Sequence, residues 1–190
     1  MTSWSQVHPD RPATTIDPDL DTLLRVLETA RQDADWSDRT GTGLRLIGTD
    51  PAGWRLELSG LAGGSPEVLL QSFVITVEAP DDRAAGLADD WLAPLASSWD
   101  PDFGDVTDDD VLDALEDAGW SVGDPVIGRV GYLSPSRAAL VPDALSAESL
   151  PDGGVVLRLT DATAVVDAYQ RLRDLGALDP LPRPMTRARL

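Results

Sequence analysis

Carboxylates are the side chains with the clearest chemical potential in this chain of 190 residues. Between Glu78 and Asp124 there are 15 acidic residues and only one basic residue, Arg83, so this acidic stretch carries −14 of the total net charge of −18. Clustered carboxylates can coordinate a hard cation, act in pairs as general acid and base, or attract a positively charged partner. The residues around them distinguish these three kinds of chemistry.

The acidic stretch lacks the further residues that a metal site or a catalytic site would need. An EF-hand loop beginning at Asp100 would need glycine at its sixth position and glutamate at its twelfth, and these positions are Asp105 and Val111. The single histidine, His8, lies far from the acidic stretch, and the chain has no lysine or cysteine to act with a chosen carboxylate. We therefore predict no metal, no cofactor and no catalytic residue. A metal-dependent enzyme with a carboxylate site remains a less favoured alternative.

A short acidic helix is predicted at the centre of this stretch. Thr107 is the expected N-cap, and the aspartates after it favour the positive end of the helix dipole. Val111, Leu112 and Leu115 form one apolar stripe, and Gly119 ends the helix, so the opposite face consists of carboxylates. The residues expected to contact a partner are Asp100, Asp102, Asp105, Asp109, Asp113, Glu116, Asp117 and Trp120.

Three aromatic residues flank the acidic helix. Trp99, Phe103 and Trp120 are candidates for either core anchors or interface contacts, since aromatic side chains often dominate binding energy at interfaces. A core position is favoured for each of them. Residues 99–106 are expected to form an aromatic-flanked turn leading into the helix.

The remaining pattern predicts an α+β domain with a mostly antiparallel sheet of about five strands and helices packed on it. Helical spacing or capping marks three more helices, and period-two alternation or β-branched runs mark five strands. The predicted helices are 20–32, capped by Asp17 or Asp19, then 83–97 and 162–176, the last capped by Asp161. The predicted strands are 44–48, 54–59, 68–78, 125–134 and 155–159.

Composition limits the domain organisation and the class of partner. We expect a flexible N-terminal tail over residues 1–15, one domain over 16–182 and a C-terminal tail over 183–190. No apolar run is long enough to span a bilayer and no targeting signal is visible, so we expect no membrane association and a cytoplasmic location. A sequence pI near 4.1 repels nucleic acid and attracts basic surfaces. The oligomeric state is left open.

Four segments resemble the Immunity protein 52 family of bacterial polymorphic toxin systems. They are WDPDFGDVT at 99–107, IGRVGYLS at 127–134, LPDGGVVLRLT at 150–160 and LRDLGAL at 172–178. The resemblance implies an α+β fold, a prominent tryptophan corresponding to Trp99, and binding to a toxin that carries a nuclease domain. Phe103 and Arg129 stand where the family pattern has tryptophan, and the family's N-terminal Trp-Gly-x-Arg strand is absent.

Charge and resemblance favour the same function. A nuclease presents positive charge to phosphates, so a helix rich in carboxylates can compete for that surface. We therefore expect a non-enzymatic immunity protein that binds and neutralises a cognate toxin with a basic surface. The main alternative is an acidic, nucleic-acid-mimicking inhibitor of a DNA enzyme.

Overall fold

The chain has an α+β fold built on two antiparallel sheets, as seen in a computed structural model that describes residues 1–32, 36–65, 68–80 and 86–180. The predicted fold class is confirmed. The described residues 1–80 belong to an N-terminal unit, and residues 86–180 belong to a C-terminal unit. The start of the helix predicted at Arg83 and the tail predicted over 183–190 lie outside the described residues.

The N-terminal unit contains one sheet of five strands in the order β2-β1-β3-β4-β5, with every neighbouring pair antiparallel. Its strands are β1 Ser3–Gln6, β2 Thr14–Ile16, β3 Thr42–Thr49, β4 Arg55–Ala62 and β5 Ser72–Glu78. The predicted hairpin is β3–β4, which is confirmed. The flexible tail predicted over 1–15 is wrong, because β1 and β2 extend this sheet beyond β3.

The two faces of this sheet differ in chemistry because side chains alternate along each strand. Leu46 is buried on one face, where the indole of Trp4 lies so close to Gly48 that a β-carbon there would be 3.0 Å from the ring. The opposite face carries ion pairs, including Arg55 Nη1 to Glu78 Oε1 at 2.7 Å. Trp4 therefore anchors the N-terminal strand where no sequence periodicity marked one.

Helix α1, Leu20–Arg31, belongs to the same unit and confirms the predicted helix. Asp19 caps it by accepting a hydrogen bond from Thr22 N at 2.9 Å, which satisfies one of the unpaired N–H groups of the first turn. Within this helix Leu20 and Leu24 remain exposed.

The C-terminal unit contains a four-stranded antiparallel sheet in the order β6-β7-β9-β8. Its elements are α2 Leu92–Trp99, β6 Phe103–Val106, α3 Asp109–Asp117, β7 Val130–Leu133, α4 Pro135–Ala138, β8 Glu148–Ser149, β9 Val155–Arg158 and α5 Ala162–Asp174. The predicted strands at 125–134 and 155–159 correspond to β7 and β9. The turn predicted at 99–106 is wrong, because residues 103–106 form strand β6.

Apolar layers cover this second sheet on both faces. One layer joins Leu133 and Leu157 to Leu115 of α3 and Leu172 of α5, and the other joins Tyr132 to residues of α2. All four residues of β7 are buried, which explains its unbroken apolar sequence. The strands with alternating side chains, 42–49 and 55–62, and the strands with continuous apolar runs, 130–133 and 155–157, thus belong to separate sheets, where the sequence suggested one.

Helix α2 begins later than predicted. A single 3₁₀ turn, Ala88–Asp90, precedes it, and Leu92 is the first α-helical residue. Pro94 lies in the first turn of α2, where its missing N–H breaks no helical hydrogen bond. A helix running through Pro94 from residue 83 would have lost such a bond.

Glycines of β7 and of the segment before it allow close packing of neighbouring residues. A β-carbon on Gly128 would overlap the main-chain oxygen of Val106, and one on Gly131 would lie 2.7 Å from the side chain of Ile127. No larger residue fits either position without moving the backbone of β6 or the core. These contacts fix the strand that precedes α3.

Candidate partner-binding surface

The N-terminus of α3 is set by Asp108. Its Oδ1 accepts a hydrogen bond from Val111 N at 3.0 Å, while its backbone is extended. The predicted cap, Thr107, is one residue too early; its hydroxyl donates to the main-chain oxygen of Asp108 at 3.4 Å. A carboxylate cap adds a favourable charge interaction with the helix dipole that a hydroxyl cannot supply.

The body of α3 has one buried side and one exposed side lined by carboxylates, which confirms the predicted pattern. Val111 and Leu115 are 0% exposed and belong to the core shared with α5. The exposed residues of the helix are all acidic: Asp109, Asp110, Asp113, Glu116 and Asp117. In the part of the chain that the structure describes, none of these five carboxylates forms an ion pair within the molecule.

Arg129 forms an ion pair with the capping residue, Asp108, and not with the exposed carboxylates of the helix. Its Nε donates to Asp108 Oδ2 at 2.6 Å, and this hydrogen bond is the main reason that the pKa of Asp108 is lowered. The same bond raises the pKa of Arg129, with smaller contributions from the charges of Asp110 and Asp89. Arg129 therefore holds the start of α3 in place.

Two of the predicted contact residues have internal roles. Asp102 accepts hydrogen bonds from Arg137 Nη2 at 2.7 Å and Nε at 2.9 Å, and its other oxygen accepts one from the Ser134 hydroxyl at 3.1 Å. Asp105 lies on β6 on the same face of the sheet as Phe103, since side chains alternate along a strand. Burial raises the pKa of Asp105 to about 6.

Arg137 is a functional residue of the fold that the sequence did not reveal. It is 9% exposed, and its guanidinium also donates to the main-chain oxygens of Ala177 at 2.7 Å and Asp179 at 2.9 Å. Its partner Asp102 lies 35 residues away in the chain, and no local motif connects the two. Asp102 and Arg137 therefore join the start of β6, α4 and the segment after α5. We call this set of hydrogen bonds the Arg137 tie.

Asp100 lies at the opposite end of β6 from α3. It is exposed and ends α2 in the left-handed conformation, with φ of 52°. Asp100, Asp102 and Asp152 all lie near the hydroxyl of Tyr132, which donates to Asp152 Oδ2 at 3.2 Å. Burial first, and then the charge of Asp152, raises the pKa of Tyr132 to about 12, so the phenol remains a donor.

The aromatic residues divide between core and surface. Phe103 and Trp120 are half-buried and pack against the core of the C-terminal unit, as favoured from the sequence. The guanidinium of Arg137 lies 6.0 Å from the ring centre of Phe103, and Trp120 Nε1 donates to the main-chain oxygen of Asp124 at 3.1 Å. For Trp99 the favoured core position is wrong: it is 38% exposed, because Leu92 and Ala96 fill the buried positions of α2 and Trp99 ends the helix.

No family model, curated protein or solved structure matches this chain.

Neither a cluster of metal-ligating side chains nor a membrane-spanning helix is found among the described residues. Over 1–32, 36–65, 68–80 and 86–180, no three or more His, Cys, Asp or Glu side chains are placed to hold a metal ion. Within the same ranges, no helix is both long and apolar enough to cross a bilayer. His8 lies in the β1–β2 connection, with its Nε2 2.8 Å from the Thr14 hydroxyl.

The surface that emerges has the four predicted carboxylates of α3, Asp109, Asp113, Glu116 and Asp117, at its centre. Among the described residues, no basic side chain forms an ion pair with these four carboxylates. Their helix is anchored by two fully buried side chains. We call these four residues the acidic face. Such a surface keeps its charges hydrated and available, so it can attract a basic partner without a change in its own packing.

Proposed function

We propose that this protein is an immunity protein that binds a cognate bacterial toxin in the cytoplasm of the producing cell and neutralises it. The observation that supports the proposal most strongly is the acidic face of α3, whose carboxylates are exposed and have no ion-pair partner among the described residues. The resemblance of four segments to an immunity family supplies the class of partner. A toxin with a nuclease domain has the basic surface that this face would attract.

The charge distribution predicts how the complex forms. Of the chain's net charge of −18, −14 lies between residues 78 and 124. A field of this size speeds the diffusional encounter with a basic surface, and added salt screens it. Neutralising the acidic face should therefore slow association more than it speeds dissociation.

The test uses the cognate toxin domain, which the proposal expects to be encoded in a gene beside this one. Co-expression of the full chain should restore growth to cells that produce the toxin, and the quadruple variant D109N/D113N/E116Q/D117N should restore it poorly. With the purified toxin domain, the variant's association rate at low salt should be lower by about tenfold or more. The wild-type rate should fall as salt is added.

A matched control separates the acidic face from total charge. The variant D10N/D17N/E28Q/D38N also changes the net charge from −18 to −14, but it replaces exposed carboxylates of the N-terminal unit. It should bind like the wild type. Equal loss of binding in both variants, or no loss in either, would show that α3 is a hydrated surface with no specific role. Failure of the wild type to protect cells would refute the immunity function itself.

A further inference from the structure

Strand β5 forms a long edge of the N-terminal sheet. It has seven residues and, among the described strands, pairs only with β4. The other strands at sheet edges are short, with three residues in β2, four in β6 and two in β8. Soluble proteins protect long edges with bulges, prolines or charges, because an open edge can pair with another strand. The sequence SFVITVE contains no proline or glycine, and its pairing with β4 is unbroken from Arg55↔Glu78 to Leu61↔Ser72.

The hydrogen-bond alternation shows which main-chain groups of β5 point away from the sheet. In an antiparallel ladder, successive residues turn their N–H and C=O groups alternately toward one neighbour and the other. Asp50 N donates to Trp54 O at 3.1 Å, so the main-chain groups of Trp54 face β3. Because the direction alternates along β4, the N–H and C=O groups of Glu57, three residues later, face β5. The partner of Glu57 is Thr76, so Thr76 bonds to β4, and the next residue, Ile75, turns its N–H and C=O outward.

The sequence of β5 is complementary to itself about Ile75. An antiparallel second copy centred there places Ile75 opposite Ile75, Val74 opposite Thr76 and Phe73 opposite Val77. These are β-branched or aromatic pairs of the kind that stabilise antiparallel sheets, and no like charges face each other. Such self-complementarity is what a two-fold symmetric interface requires.

We propose that β5 pairs with β5 of a second copy of this chain, which joins the two five-stranded sheets into one continuous antiparallel sheet. Residues 1–80 carry 12 acidic residues and six arginines, a net charge of −6, so this part of the chain repels a second copy less than the acidic stretch would. Both copies are still negative. The dimer should therefore become more stable as salt screens their repulsion.

The test places charges at the paired positions 74 and 76. Val74 is 54% exposed and Thr76 is exposed, so substitutions there leave the buried face of the sheet intact. The variant V74K/T76K puts two lysines opposite each other at both symmetric positions of the dimer. The variant V74E/T76K differs only in the sign of one charge and puts glutamate opposite lysine instead. Thr76 lies beside Glu57 in the same chain, so a lysine suits this position in both variants.

Sedimentation equilibrium on the full chain measures the outcome. The monomer has a mass of 20.3 kDa, and the wild type should show a dimer of twice that mass whose dissociation constant falls with added salt. V74K/T76K should weaken the dimer by about tenfold or more, and V74E/T76K should restore it. A wild type that remains monomeric at all accessible concentrations, or two variants that dimerise equally well, would overturn the proposal.

Amide hydrogen exchange keeps the proposal testable if a variant folds poorly. The outward N–H of Ile75 should become more protected as the wild-type concentration rises. Exchange at Ile75 that is independent of concentration would count against the interface. This result is independent of the toxin experiments, because the residues tested lie on β5 and not on the acidic face.

Discussion

Replacing Asp105 by asparagine should stabilise the protein at neutral pH. Burial raises the pKa of Asp105 to about 6 in the folded state, whereas an aspartate in an unfolded chain titrates near about 3.9. Between these two values the folded state binds more protons than the unfolded state, so folding stability falls as pH rises. The destabilisation is complete above the folded pKa and is absent below the unfolded one. Asparagine has nearly the same shape and carries no charge at any pH.

The size of the effect follows from the two pKa values. Their difference corresponds to about 3 kcal/mol at 1.36 kcal/mol per pKa unit. Asp105 keeps partial solvent exposure, and the amide loses some hydration of its own, so we expect a gain of about 1–3 kcal/mol at pH 7.5. At pH 5 the folded carboxyl is already mostly protonated, and the gain should fall by about half.

Urea denaturation at pH 7.5 and pH 5 measures this difference for the wild type and Asp105→Asn. Asp113→Asn is the control, since it removes one charge from the exposed face of α3 and leaves the core unchanged. A gain no larger than that of the control, or a gain that is equal at both pH values, would refute the assignment of Asp105 as a desolvated carboxylate.

Two further substitutions test the packing of the C-terminal unit. Arg137→Met should lower the free energy of unfolding by about 2–4 kcal/mol, because it leaves Asp102 and the main-chain oxygens of Ala177 and Asp179 without their donor. Urea denaturation measures this loss. A loss below about 1 kcal/mol would contradict the prediction. Gly128→Ala should cost about 3 kcal/mol or prevent folding, since its β-carbon would overlap the main-chain oxygen of Val106. In Gly43→Ala the nearest atoms lie at 3.9 Å, so its melting temperature should stay close to that of the wild type.

Features set by neighbouring residues could be predicted from the sequence. Asp19 and Asp161 cap α1 and α5 through bonds to residues three positions ahead, and the β3–β4 hairpin is joined by a short turn. The division of α3 into buried and acidic faces follows from helical periodicity alone. These elements required no knowledge of distant parts of the chain.

Features that depend on distant residues could not be predicted. Strand β1 is mostly polar and forms because Trp4 packs on Gly48 and its backbone pairs with β3. Nothing in the sequence indicated that Asp102 binds Arg137 or that desolvation raises the pKa of Asp105, since both depend on how β6 enters the second sheet. Carboxylates that are equivalent in the sequence thus acquired different roles from their tertiary environment.

The Arg137 tie has a consequence for the order in which the chain can fold during synthesis. Its acceptors, Asp102, Ala177 and Asp179, span nearly the whole of the described C-terminal unit. Asp102 and Arg137 leave the ribosome well before residue 179, and until then the guanidinium lacks two of its three acceptors. We expect this unit to close only after its last helix has been released, so a nascent chain would expose an incomplete core until residue 179 has left the ribosome.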